Sequence, residues 1–99
     1  MRDIVNKLNK VFDSRIRLAV MSALIVSDTL DFNSLKEMLD ITDGNLSSHI
    51  AMLERETYVS VKKRFAGKKP QTIYSLTAAG KRAFSEHIDA LEKLIRTSQ

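Results

Sequence analysis

Cysteine is absent from this chain of 99 residues, which removes disulfide staples, thiolate catalysis and cysteine-based metal sensing together. Histidine is nearly as scarce. His49 and His87 stand far apart and cannot supply the several convergent ligands of a first-row metal site, so neither metal nor other cofactor is expected. No apolar run approaches the roughly 20 residues that span a bilayer, so no membrane partner is expected. The start of the chain, with Asp3, Asn6 and Lys7, lacks the apolar stretch of a secretory signal, and the expected location is cytoplasmic. Aromatics are 6% of the residues against 43% hydrophobic overall, so the core should come from helices packing Leu, Ile, Val and Met. Also missing are a nucleophile-base pair, a Gly-rich phosphate loop and a well-spaced carboxylate dyad, which argues against an enzyme.

One sign of charge is missing over a long stretch. From Thr57 through Ser85 there are seven cations and no carboxylate, whereas the first 56 residues hold nine of the twelve acids. The net charge of +4 is modest, but this distribution points to one polyanion-facing surface. A charge run by itself is more often a solvated face, so the pattern needs structural company.

What is present reads mostly as helix. The length suits one domain over 1–99. Ile4, Leu8, Val11 and Phe12 recur at helical spacing and predict a short amphipathic helix. Asp13 or Ser14 can cap the next helix, whose residues Ile16 to Val26 leave almost no polar face and so form the spine of the core. Thr29 to Phe32 is a short extended segment, and Asn33 offers a cap to the helix of Leu35, Met38 and Leu39. After a turn at Asp40 to Thr42 a second helix begins, making a helix-turn-helix over about 33–56. Leu46, Ile50 and Leu53 fall within about 60° on a helical wheel and must face the core. Gly44, Ser47, Ser48, Ala51, Met52 and Arg55 are left on the other side, a small polar face free of carboxylates.

Directly after that helix, Tyr58 to Phe65 alternates, with Val59 and Val61 on one face and Ser60, Lys62 and Arg64 on the other. Gln71 to Leu76 is a second strand, and Ala66-Gly67-Lys68-Lys69-Pro70 joins them into a basic hairpin over about 58–76. Thr77 caps a last helix over about 77–96, with an apolar stripe of Phe84, Ile88, Leu91 and Ile95. A helix with short hydroxyl and amide side chains beside a cationic hairpin is what reading a DNA groove while gripping its phosphates requires.

The segment LDITDGNLSSHIAMLERETYV (39–59) followed by VKKRFAGKKPQTIYSLTAAGKRAF (61–84) resembles the small winged-helix transcriptional regulators related to the MarR and ArsR groups. The likeness reaches back to SRIRLAVMSALIV and covers about residues 10–95. Its most specific pieces are Thr-Asp-Gly-Asn-Leu-Ser at 42–47, the Gly-Lys-Lys-Pro wing at 67–70, and Leu-Thr-x-x-Gly-x-x-x-Phe at 76–84. The resemblance implies a mainly helical winged helix-turn-helix fold with a small β-hairpin wing and terminal dimerisation helices. It implies a sequence-specific regulator of double-stranded DNA, a dimeric repressor, with 43–56 in the major groove and the wing on phosphates or the minor groove. The candidate contacts are Thr42, Asp43, Gly44, Asn45, Ser47, Ser48, His49, Met52 and Arg55 on the helix, and Lys62, Arg64, Lys68 and Lys69 on the wing.

A departure from the pattern stands at Thr57, where relatives carry Gly; either the helix ends by another cap or the β-branched residue is strained. The bland readings stand beside the sharp ones. Asn45, Ser47 and Ser48 also suit an ordinary solvated helix face that reads nothing, His49 equally suits a core edge, and Met52 equally suits packing. His87 is expected at the surface. Lys81 and Arg82 oppose the helix dipole, which suits a phosphate contact. The stripes of Ile4, Leu8 and Phe12 and of Phe84, Ile88, Leu91 and Ile95 exceed what one small core needs, so a homodimer through both terminal helices is expected. Any small-molecule effector would have to be mostly apolar. The rival to DNA reading is a winged-helix protein-interaction module, since fold does not dictate function.

Overall fold

The computed structural model describes residues 1–97. Helix α1 (Arg2–Val5) is a single turn, and after a break comes one 3-10 turn at Lys10–Phe12. The continuous N-terminal helix that Ile4, Leu8, Val11 and Phe12 predict therefore does not form. Asn9 explains the interruption. In a helix its backbone N–H would donate to the carbonyl of Val5, but it donates to His87 Nδ1 at 3.0 Å instead, while its side-chain oxygen accepts from Val11 N–H at 3.0 Å.

Helix α2 (Arg15–Val26) starts at Ser14, whose hydroxyl accepts from Arg17 N–H at 3.2 Å. It buries Val20, Met21 and Leu24 at the centre of the core, but its far end runs past the packed region, leaving Val26 86% exposed. Strand β1 (Leu30–Asp31) leads straight into helix α3 (Phe32–Leu39). The cap of α3 is Asp31, not Asn33: the carboxylate accepts from Ser34 N–H at 3.3 Å and from the Ser34 hydroxyl at 2.5 Å. One residue thus ends a strand and starts a helix, and the Ser34 hydroxyl holds its carboxyl below the usual range. Helix α3 stops at Asp40, which takes a left-handed φ of 51° that Asp tolerates better than most residues.

Helix α4 (Asp43–Arg55) is capped by the Thr42 hydroxyl, which accepts from Asn45 N–H at 3.2 Å, and it buries Leu46, Ile50 and Leu53. Strands β2 (Val59–Ala66) and β3 (Lys69–Leu76) and helix α5 (Ala78–Thr97) complete the chain. The sheet is antiparallel in the order β1-β3-β2, with Leu30 opposite Tyr74 and Val59 opposite Leu76. Between β2 and β3 only Gly67 and Lys68 remain, and Gly67 has φ +65°, the first-position glycine that a tight type II′ hairpin uses. Pro70 pairs with Phe65 one step from the turn, where the alternation of the ladder directs the missing N–H outward. This order of elements is mainly helical with a small three-stranded sheet, a winged helix.

The join between α4 and β2 resolves the question posed by Thr57. Thr57 does adopt the left-handed region, φ 63°, so the helix ends as it would with glycine and the residue carries the strain. Tyr58 N–H donates to Leu53 O at 3.0 Å and Thr57 N–H to Glu54 O at 2.9 Å, the paired bonds of a Schellman ending. The surrounding structure holds it there. The Thr77 hydroxyl donates to Thr57 O at 2.6 Å and accepts from Gly80 N–H at 2.9 Å, while Thr77 N–H donates to Tyr58 O at 3.1 Å. A methyl on Gly80 would lie 2.1 Å from Tyr58 O, so only glycine lets α5 come this close.

A β-branched residue in the left-handed region costs about 1–2 kcal/mol. Thr57→Gly is therefore expected to stabilise the fold by about 1 kcal/mol, raising the melting temperature by roughly 4–8 °C. A melting temperature that stays put or drops would show that Thr57 is not strained.

Candidate nucleic-acid interface

Packing of Leu46, Ile50 and Leu53 into the core turns the other side of α4 to solvent. Gly44, Asn45, Ser47, Ser48 and Arg55 are exposed, as is the capping residue Thr42, while Met52 and Ala51 are half-buried. Among the described residues no hydrogen bond or ion pair occupies the side chains of Asn45, Ser47, Ser48 or Arg55. Besides Thr42, whose hydroxyl caps the helix, two helix candidates are already engaged. Asp43 pairs with Lys36 at 2.7 Å, tying the two helices of the helix-turn-helix, and His49 Nδ1 meets the Arg17 guanidinium at 2.9 Å.

Arg17 cannot give up its proton, so it donates and His49 Nδ1 accepts, leaving the proton on Nε2. Partial burial first, and the Arg17 charge second, hold the His49 pKa below its ordinary value, so this ring is neutral at pH 7. Arg17 in turn donates from Nε to Val11 O at 2.6 Å, which joins the N-terminal segment to the exposed helix. Nothing local in the sequence marks Arg17, thirty-two residues from His49.

Lys62, Lys63, Arg64, Lys68 and Lys69 are all exposed on the hairpin. Alternation along β2 divides them: Lys62 and Arg64 lie on the face of Ser60, and Lys63 on the face of Val59 and Val61 together with Phe65. Arg64 Nε donates to the Gln71 side chain across the strand pair at 3.1 Å, while Lys62, Lys63, Lys68 and Lys69 have no side-chain bond within the described residues. The sequence reading left out Phe65, although its place in the alternating pattern put it on the Val59 face.

The terminal stripes divide as well. Phe12 and Phe84 are buried in the chain's own core, edge to face at 5.4 Å, so they are not available to a second copy. Ile4, Leu8 and Leu91 are half-buried, and Ile88 and Ile95 are exposed. His87, expected at the surface, is only 4% exposed, packed against Phe12 with ring centroids 5.1 Å apart. Its Nδ1 accepts from Asn9 N–H, a partner seventy-eight residues away that no local pattern could reveal. Burial lowers the His87 pKa, with Asp13 opposing.

The family described as Winged helix DNA-binding domain matches residues 16–95. The MJ0432 protein of Methanocaldococcus jannaschii is 37% identical over 79 residues, 80% of this chain and 86% of its own. The solved transcriptional regulator homologue protein from Pyrococcus horikoshii OT3 superposes with a TM-score of 0.88 at 28% identity, covering 99% of this chain and 95% of its own. A transcriptional regulator of the MarR family from Enterococcus faecalis V583 shares the fold at a TM-score of 0.70 and 24% identity, over 90% of this chain and 76% of its own.

The buried imidazole makes stability depend on pH. A histidine whose folded pKa lies below the ordinary 6.5 contributes fully above that value; as pH falls through 6.5 the unfolded chain takes the proton first and the folded state loses ground. The melting temperature is expected to fall between about pH 7 and pH 5, and less steeply in His87→Asn, whose amide oxygen can still accept from Asn9. Parallel pH profiles for the two proteins would remove His87 as the cause.

Proposed function

The chain belongs to the winged helix DNA-binding domain family, and on that premise we propose that it is a dimeric, sequence-specific regulator of transcription that represses by occluding a promoter. In this reading α4 enters the major groove of double-stranded DNA and the hairpin grips flanking phosphates or the neighbouring minor groove. The observation that carries it is an unengaged polar helix face joined, through a bonded corner, to a hairpin with five exposed cations and no acid.

Ser47 and Ser48 are short enough to bring the helix close to base edges, and Asn45 can pair twice with adenine. Gly44 supports the same reading. A side chain there would meet nothing among the described residues, so the bare position costs nothing in packing and leaves room for a close approach from outside. Asp43, paired with Lys36, serves helix geometry, whereas Nε2–H of His49 remains a donor toward a phosphate or base. Lys68 and Lys69 supply affinity with little sequence information.

The homodimer rests on the faces of α1 and α5 that the monomer leaves uncovered. Val5, Ile88 and Ile95 are exposed, and a cleft of about 710 Å³ lies between the N-terminal segment and α5, lined by Ile4, Leu8, Ala90, Lys7, Glu86 and Lys93 among others. That mixed lining suits the side of a second copy's helix better than an apolar effector. A two-fold dimer would set two α4 helices against half-sites about one DNA turn apart.

Replacing Lys68 and Lys69 together by Ala removes four cations per dimer, which should weaken binding to all duplexes alike and flatten the slope of log affinity against log salt by up to about 0.9 per lost contact. Titration at several salt concentrations reads both, and an unchanged slope would take the hairpin tip off the phosphates. Ser47→Ala with Ser48→Ala should instead change which sequence is selected from a random pool. The same preferred site in both proteins would place the reader elsewhere.

A further inference from the structure

Phosphate contact leaves one feature of the hairpin unused. Phe65 is 74% exposed, and among the described residues its ring takes part in none of the aromatic contacts that hold Phe12, Phe32, Tyr58, Tyr74 and Phe84. It is paired with Pro70, one step back from the two-residue turn, so two apolar side chains sit together on one face near the tip. That face begins in the core. Along β2 it runs from buried Val59 through half-buried Val61 to exposed Lys63 and Phe65, so the hairpin carries a core-facing surface out beyond the core.

The surroundings decide what could cover it. Lys62, Lys63 and Arg64 precede the pair, Lys69 lies between it and the turn, and Lys68 lies in the turn itself, with no carboxylate between Thr57 and Ser85. Two side chains are far too small an apolar area for a stable protein interface, which needs on the order of 1,000 Å². A polyanion with an apolar interior fits better. A duplex groove offers phosphates on its rims and sugar and base surfaces between them, and Phe and Pro are among the residues that enter minor grooves as wedges.

We propose that Phe65, backed by Pro70, enters the minor groove beside the site read by α4 and pries open a base step there, bending the duplex toward the major groove. The proposal rests on the DNA-binding reading and adds to it a specificity term that no hydrogen bond supplies. Pyrimidine-purine steps such as TA open most easily and A-tracts resist, so the flank of the operator is selected by deformability. The cations hold the duplex in place; the ring senses how readily it yields.

The test uses end-labelled duplexes carrying the selected operator with either a TA step or an A-tract at the flank, with bending read by energy transfer between the ends. The wild-type protein should bend the TA duplex and prefer it by about tenfold. Phe65→Ala should lose both the bend and the preference with an unchanged salt slope, since no phosphate contact is removed. Phe65→Leu, which keeps apolar bulk, should retain most of both. An exposed position leaves the fold intact, and melting temperatures within a degree or two of wild type check this. Bending and flank preference that survive in Phe65→Ala, or a wild-type protein that binds without bending, overturn the wedge and leave the DNA-binding reading standing. A changed oligomeric state in Phe65→Ala would assign the ring to a protein contact and overturn it too. A wild-type protein that binds no duplex at all overturns both.

Discussion

Two successive carbonyl groups, those of Thr57 and Tyr58, set the geometry on which the rest depends. The Thr77 hydroxyl takes the first and the Thr77 N–H takes the second, while Gly80 allows α5 to lie against Tyr58 closely enough for both bonds. Backbone carbonyls do not swing freely, so the direction of α4, the start of β2 and the first turn of α5 become one rigid corner. The left-handed Thr57 is the cost of that corner, a local strain tolerated because the neighbouring bonds over-determine it. Without it, the relation between the polar face of α4 and the cationic hairpin would rest on shared core packing alone.

Behind the corner, Asn9 ties the N-terminal segment to the other parts. Its backbone N–H reaches His87 on α5, its side-chain nitrogen donates to the Tyr58 hydroxyl at 3.0 Å, and its side-chain oxygen accepts from Val11 N–H to cap the turn that delivers Phe12 to the core. Two residues later Val11 O receives Arg17, which also holds His49. The segment that carries the uncovered apolar face therefore contacts residues that are bonded to α4, α5 and the start of the hairpin. A second copy docking on α1 and α5 would press on a part already linked to all three. Burial of His87, which lowers its pKa, makes this junction sensitive to acid.

Much of this architecture could be read from residue order because it rests on local periodicity. The core stripe of α4, the alternation of β2, the glycine of the hairpin turn and the caps at Ser14, Thr42 and Thr77 each declare themselves within a few residues. The misses share the opposite cause. The apolar spacing of Ile4 to Phe12 favours a helix, but a bond from Asn9 to a histidine at the far end of the chain breaks it. His87 looks like a surface residue until that bond and the Phe12 ring are known, and Arg17 looks like a solvated cation until it meets His49. Asp31 capped α3 ahead of Asn33 because the helix starts directly from the strand. The departure at Thr57 was visible as a missing glycine, yet only coordinates could decide between a different ending and a strained one. Of the candidate interface, the exposed polar and basic residues and the two faces of the hairpin were legible; the engagement of Asp43 and His49 and the isolation of Phe65 were not.

The central claim is that the corner presents α4 and the hairpin to one side of one duplex. Footprinting the wild-type protein on its selected operator, with probes of purines in the major groove and of sugars in the minor groove, tests it directly. The account predicts, in each half-site, a protected major-groove patch adjoining a protected minor-groove patch on the same face of the duplex. Protection confined to one groove, or split between opposite faces, would contradict it.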